Sequence, residues 1–192
     1  MAISGLLRKN RVAVWAIWSH SAIMTDETYR WGLIPNRFST FAAAVDEQGR
    51  VVRFWLHADR KPRGIEDDGA VADVRRQVEA YSAGELKDFD IVTHTDRGSE
   101  FERGVWQAMT EIPFGETVSY GAIAKKLGQP DAARAVGVAC NGNPIPLIVP
   151  CHRVIGADGA LVGFGGGLPL KRALLDHESV VAGRPRDLLA LL

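Results

Sequence analysis

Glycine and proline cut residues 99–143 into three short helical stretches, and this punctuation limits the fold more than any other feature of the chain. Ser99, with Glu102 three residues later, has the spacing of a capping box. It opens a helix through Met109, with Phe101, Val105 and Met109 at i, i+4 and i+8. Ile112-Pro113-Phe114-Gly115 breaks that helix. Ser119 is placed to cap a second one over 120–127, which stops at Gly128. Pro130-Asp131 starts a third over 132–140, rich in alanine and glycine. Two short helices joined at a glycine have the form of a helix-turn-helix.

Upstream, the pattern becomes regular at Phe38. Residues 38–45 read as a strand, Asp46-Glu47-Gln48-Gly49 as a turn and 51–57 as the returning strand. Residues 58–69 are charged, carry Pro62 and Gly64, and read as a loop. Val71, Val74, Val78 and Tyr81 share one helical face, and Gly84 sits where that helix stops. Residues 89–93 are expected to add another strand. Downstream, Pro144, Pro146 and Pro150 punctuate the chain, and a short apolar strand over 147–149 is expected to deliver Cys151. Asp158-Gly159 signals a turn, Gly165-Gly166-Gly167 a loop, and Pro169 the first turn of a last helix carrying Leu170, Ala173, Leu174 and His177.

The expected fold class is α/β of the α+β kind, built as two small domains. An N-terminal sheet-plus-helix domain (36–94) and a linker (95–98) precede a mainly helical C-terminal domain (99–181) with the helix-turn-helix and the active-site cysteine. Residues 1–35 read as an extension without a clear element, or as sequence upstream of a start at Met24, and 182–192 as a tail.

Composition removes several function classes. With 23 basic and 23 acidic residues the formal net charge is zero, so any contact with nucleic acid has to come from a few placed cations. Two cysteines, Cys140 and Cys151, are too few for a disulfide framework and form no CxxC pair, so no metal site is expected. A reduced cytoplasmic chain is the expectation, with one Cys140–Cys151 disulfide left open. The apolar run 12–18 behind Arg8-Lys9-Asn10-Arg11 mimics a signal peptide only faintly, and no stretch is long enough to span a membrane.

Pro150-Cys151-His152-Arg153-Val154 holds the strongest candidate for chemistry. A thiol is mostly protonated at neutral pH, so a nucleophilic cysteine needs a histidine or a positive field. His152 is adjacent, yet neighbours on a strand point to opposite faces. Taken alone, the pair also reads as a buried structural cysteine beside a histidine bonded to backbone.

The wider constellation narrows the choice. Val118-Ser119-Tyr120-Gly121-Ala122-Ile123-Ala124, Ala133-Arg134-Ala135-Val136-Gly137, Asn141-Gly142-Asn143-Pro144-Ile145-Pro146 and Pro150-Cys151-His152-Arg153-Val154 occur in that order. From Phe101 to Glu178 the chain closely resembles the O6-alkylguanine-DNA alkyltransferase family, and more loosely over 38–93. The resemblance implies direct, single-turnover DNA repair by a monomer acting on double-stranded DNA that contains O6-alkylguanine, with no cofactor. The damaged base would be flipped out through the minor groove and its alkyl group passed to the protein's own cysteine.

Cys151 would accept the alkyl group by in-line displacement. His152 would draw the thiol proton through a water, and Glu178 would orient and polarise His152. Tyr120 would help rotate the nucleotide, bond the purine and support proton delivery. Asn143 would tie its turn to the Cys151 segment. The backbone of Cys151 and Val154 would accept from the guanine amino group, and Phe164 and Gly165 would line the substrate site with the Gly165 amide approaching O6. Arg134 would fill the space the flipped base leaves, while Ala132, Ala133 and Ala135 would let the helix press into a narrow groove.

Read singly, these residues have blander explanations. Glu178 passes for a surface acid, Tyr120 for a half-buried helix residue, Asn143 for a turn former and Arg134 for an exposed arginine. At Gly165, where some relatives carry serine, the chain offers only backbone. Neither cysteine lies in the N-terminal domain, where some members bind zinc. Three other readings fit less well. A non-catalytic alkylguanine sensor would lack Cys151, a Cys-His hydrolase has no use for Arg134 on its alanine-rich helix, and a methylation-sensing activator needs domains this chain has no room for.

Overall fold

The structure, a computed structural model, describes residues 29–58, 62–94 and 97–184. The apolar run 12–18, the alternative start at Met24, the 95–96 part of the linker and the tail beyond 184 lie outside the described residues.

Four strands, β1 (Arg30–Pro35), β2 (Thr40–Val45), β3 (Val51–Trp55) and β4 (Ile65–Glu66), form a sheet in the order β3-β2-β1-β4. The first strand corrects the expectation of no element before residue 36. β1 pairs antiparallel with β2 along its whole length, from Arg30 opposite Val45 to Pro35 opposite Thr40. Both faces of this strand are covered. Ile34 packs in the main core, and Trp31 packs with Tyr29, Ala44 and Val52 on the other side. A doubly buried strand does not alternate cleanly, so its sequence gave no period-2 signal. β4, inside the expected loop, adds two residues in parallel to β1.

α1 (Ala72–Ala83) buries Val74, Val78 and Tyr81 against the sheet and ends at Gly84, whose φ of 81° closes the helix in the left-handed conformation. Residues 89–93 do not form the expected strand. They make one bridge, Thr93 to Val51, because the Gln77 side chain takes both backbone groups of Asp90, at 2.8 and 3.0 Å.

The helices that follow stand close to their expected limits. α2 (Glu100–Thr110) has a complete capping box between Ser99 and Glu102. α3 (Tyr120–Lys126) is capped by the Ser119 hydroxyl, α4 (Ala133–Asn141) packs on both, and α5 (Gly167–Val181) closes the fold. Two short parallel strands, β5 (Val118–Ser119) and β6 (Val154–Ile155), link the approach to α3 with the segment after Cys151. The strand expected over 147–149 is absent. Leu147 has φ 77°, only a bridge joins Pro146 and Val149, and Cys151–Arg153 is a turn of 3-10 helix. Pro144, Pro146 and Pro150 remove three amide donors from this segment, so it cannot sustain a ladder.

One apolar core runs from Phe41 and Phe54 of the sheet through Val78 and Tyr81 of α1 to Met109, Val136 and Leu174 of the later helices. Further bonds cross between the two halves: Phe54 N–H to the Pro144 carbonyl at 3.0 Å, and His57 Nε2 with the Gly166 carbonyl at 2.9 Å. No helix among the described residues is long and apolar enough to cross a membrane.

Candidate active site

The 3-10 turn removes the objection to a working Cys-His pair. Three residues per turn separate successive side chains by about 120°, instead of the opposite faces of a strand. Cys151 therefore lines a pocket of about 710 Å³, together with Tyr120, Arg134, Cys140, Phe164 and Gly165. His152 and Arg153 turn inward to one carboxylate, Glu178 of α5.

Glu178 is fully buried, which excludes the surface-acid reading. His152 Nε2 lies 2.8 Å from its Oε1. Arg153 grips both oxygens, Nε to Oε2 and Nη2 to Oε1, each at 3.0 Å, and its Nη1 donates to the Ile112 carbonyl at 2.7 Å. The Gly115 amide adds 3.0 Å to Oε2, and the Tyr81 hydroxyl 2.8 Å to Oε1. Burial alone would push the Glu178 carboxyl up. The His152 contact and the Arg153 guanidinium overrule it and hold the carboxyl well below the usual carboxylate range. An ionised Glu178 accepts only, so His152 Nε2 carries the hydrogen and Nδ1 is the free base. Burial depresses the basicity of His152, against the pull of Glu178, and keeps it neutral. Its Nδ1 is buried and has no hydrogen-bond partner among the described residues.

Around the thiol, burial raises the Cys151 pKa, while a hydrogen bond from Asn143 and the charge of Lys171 oppose the rise. Asn143 also bonds the backbone on the approach to Cys151. Its Nδ2 donates to the Val149 carbonyl at 2.8 Å and its Oδ1 accepts from the Ile145 amide at 3.0 Å. Burial pushes the Tyr120 phenol up to about 12, so it is a donor at neutral pH, and it donates to the Val162 carbonyl at 3.1 Å. Arg134 is exposed and lines the pocket with Ala133, whereas Ala132 and Ala135 do not line it. Val154 is fully buried and absent from the pocket wall. Its carbonyl accepts from Lys171 at 2.6 Å, leaving one lone pair. At Gly165 a Cβ would meet nothing within 4 Å. Among the described residues, no group of three His, Cys, Asp or Glu side chains is arranged to hold a metal ion.

Lys171, Arg153, Tyr81 and Cys140 are the site residues that sequence reasoning missed. Lys171 is fully buried, and its ammonium donates to the carbonyls of Val154 and Val162 at 2.6 and 2.9 Å, with no carboxylate partner among the described residues. A signal was present, because Lys171, Leu174 and Glu178 recur at i, i+3 and i+7. These charged residues fall on the apolar stripe of their helix.

Residues 100–180 match the family model described as 6-O-methylguanine DNA methyltransferase, DNA binding domain. A protein of Methanosarcina acetivorans named methylated-DNA–protein-cysteine methyltransferase is 54% identical over 114 residues, covering 59% of this chain and 72% of that one. The chain belongs to the methylated-DNA–protein-cysteine methyltransferase family. The crystal structure of Mycobacterium tuberculosis O6-methylguanine methyltransferase matches this member of the family with a TM-score of 0.73 at 40% identity, over 84% of this chain and 98% of that one. The same organism's OGT in complex with DNA matches with a TM-score of 0.72 at 40% identity, over 82% and 96%.

Proposed function

We propose that this methyltransferase repairs DNA by moving an alkyl group from O6 of guanine to Cys151, once per molecule. The observation that carries the residue assignment is the relay itself: a thiol on a pocket wall, a neutral histidine beside it, and a buried ionised carboxylate fixing that histidine. Cys151 Sγ attacks the alkyl carbon in line, the C–O6 bond breaks, and its electron pair stays with the guanine. The thiol proton passes through a water to His152 Nδ1. Glu178, held ionised by Arg153, steadies the imidazolium without taking its proton. The leaving guanine takes a proton in its ring with the Tyr120 hydroxyl as nearby donor. A thioether forms, which cannot be displaced again under mild conditions, so no second turnover follows.

Arg134, exposed at the pocket mouth on a helix of small residues, fills the stack when the base leaves it. One inserted cation suits a protein with zero net charge. The protein acts on duplex DNA as a monomer, and its need for chromosomal substrate supports a cytoplasmic, nucleoid-associated location. The test is intact mass after incubation with a duplex containing O6-methylguanine, followed by peptide mapping. One added methyl on the Cys151 peptide, saturating at one per protein and absent in Cys151→Ala, is the expected result. An unchanged mass in the parent protein overturns the reading.

A further inference from the structure

Glu178 is held from two sides. His152 and Arg153 reach it from the segment after Pro150, and Tyr81 reaches it from α1, 97 residues earlier in the chain. Tyr81 donates to Oε1 at 2.8 Å, the same oxygen that takes the His152 hydrogen at 2.8 Å. Its ring is fully buried and fixed. It stacks on Phe89 at 5.4 Å between centroids and meets Phe114 and His177 edge-on at 6.0 and 5.3 Å. Packing alone would be served as well by phenylalanine. The hydroxyl is spent on the one carboxylate that orients the general base.

We propose that Tyr81 is a positioning residue of the proton relay. Its phenol, carried by the N-terminal half of the chain, fixes the Glu178 carboxylate against His152 and draws charge from the oxygen that polarises the imidazole. This rests on the relay reading of Cys151, His152 and Glu178. With the phenol hydrogen bond removed, more negative charge sits on Oε1 and the imidazole becomes more basic. The neutral imidazole that takes the thiol proton is then reached only at higher pH. The other charged or titratable groups facing this cluster are Arg153 on the 3-10 turn, Arg37 before β2, and His177 and Lys171 on α5. All of them stay in place in Tyr81→Phe, so a displaced profile belongs to the hydroxyl.

The experiment measures single-turnover methyl transfer from an O6-methylguanine duplex, with full-length protein in excess, across about pH 5.5 to 9. It compares the parent, Tyr81→Phe, Phe89→Leu and Cys151→Ala. Tyr81→Phe is expected to transfer on the order of tenfold more slowly at neutral pH, with the rising limb displaced to higher pH and DNA binding unchanged. Phe89→Leu loosens the packing on the same ring. It is expected to lower the melting temperature and leave the midpoint of the limb where it was, which separates positioning from stability. A Tyr81→Phe profile with an unmoved midpoint, or one displaced to lower pH, overturns the proposal whatever its height. Transfer by Cys151→Ala would overturn the relay itself, a different failure read in the same series.

Discussion

Lys171 places a buried ammonium behind a pocket that is lined by the exposed Arg134 and by the Cys151 thiol. Its hydrogens go to main-chain carbonyls of the segment that follows Cys151 and of the loop that lines the pocket at Val162, so one side chain ties that loop to the Cys151 segment. Its charge faces Cys151 and Cys140, and no carboxylate among the described residues neutralises it. On the proposed mechanism, a thiolate at Cys151 is the anion that this ammonium meets. In Lys171→Met the Val154 carbonyl loses its lysine donor, while Val162 keeps the Tyr120 hydroxyl, at a cost of about 1–3 kcal/mol in stability. The Cys151 thiol should also ionise at higher pH. Alkylation of free protein by iodoacetamide, followed at Cys151 by peptide mapping, reads this directly, and its midpoint is expected to move upward. A midpoint unchanged from the parent would show that Lys171 holds the backbone and leaves the sulfur alone.

At the scale of elements, the best-signalled pieces are those whose ends are chemically marked. Ser99 and Glu102 announce α2, and the capping box they form is complete. Ser99→Ala is expected to cost about 1 kcal/mol, visible as a lower midpoint in urea with an unchanged slope. Ser119 and Gly128 mark α3 equally well. The elements that escaped reading lack such marks or owe their state to distant partners. β1 is covered on both faces, so Trp31 and Ile34 point to different clusters and leave no alternation to see. Residues 89–93 have a strand's composition, yet the Gln77 side chain, from a different element, takes the groups of Asp90 that pairing would need. The turn at Cys151 is legible only in hindsight from three prolines. The candidate site divides along the same line. Cys151, His152 and Asn143 sit in a local string, while Glu178 and Tyr81 join them only through folding; the one local sign is that Glu178 falls on the apolar stripe of its helix.

For the whole molecule, acid is the informative perturbant, because the two buried groups at its centre respond in the same direction. His152 is held neutral with its pKa below the ordinary 6.5, so the unfolded chain takes up a proton as pH falls through that value while the folded chain does not. Glu178 is held ionised below the ordinary 4.5. Its contribution is complete above that value and is lost as pH falls toward the depressed folded one. Both effects favour the unfolded chain on acidification. The melting temperature is expected to fall from neutral pH downward, gently below about 6.5 and more steeply below about 4.5. A melting temperature flat from pH 7 to pH 4 would contradict the buried His152–Glu178 pair. Since the same core spans the sheet and the helices, one cooperative transition is expected, with both halves melting together.

The many-sided grip on Glu178 also bears on how such a chain can change over evolutionary time. Losing Glu178 or Arg153 strands a buried charge and unfastens two halves of the molecule, so those positions cannot be relinquished without losing the body that carries them. Cys151 is different: its sulfur lies on a pocket wall, and a smaller residue there leaves the carboxylate cluster intact. On the proposed mechanism, a descendant that gave up the reaction but still had to grip damaged DNA has one simple way out, a single replacement at position 151, with the carboxylate cluster persisting behind it.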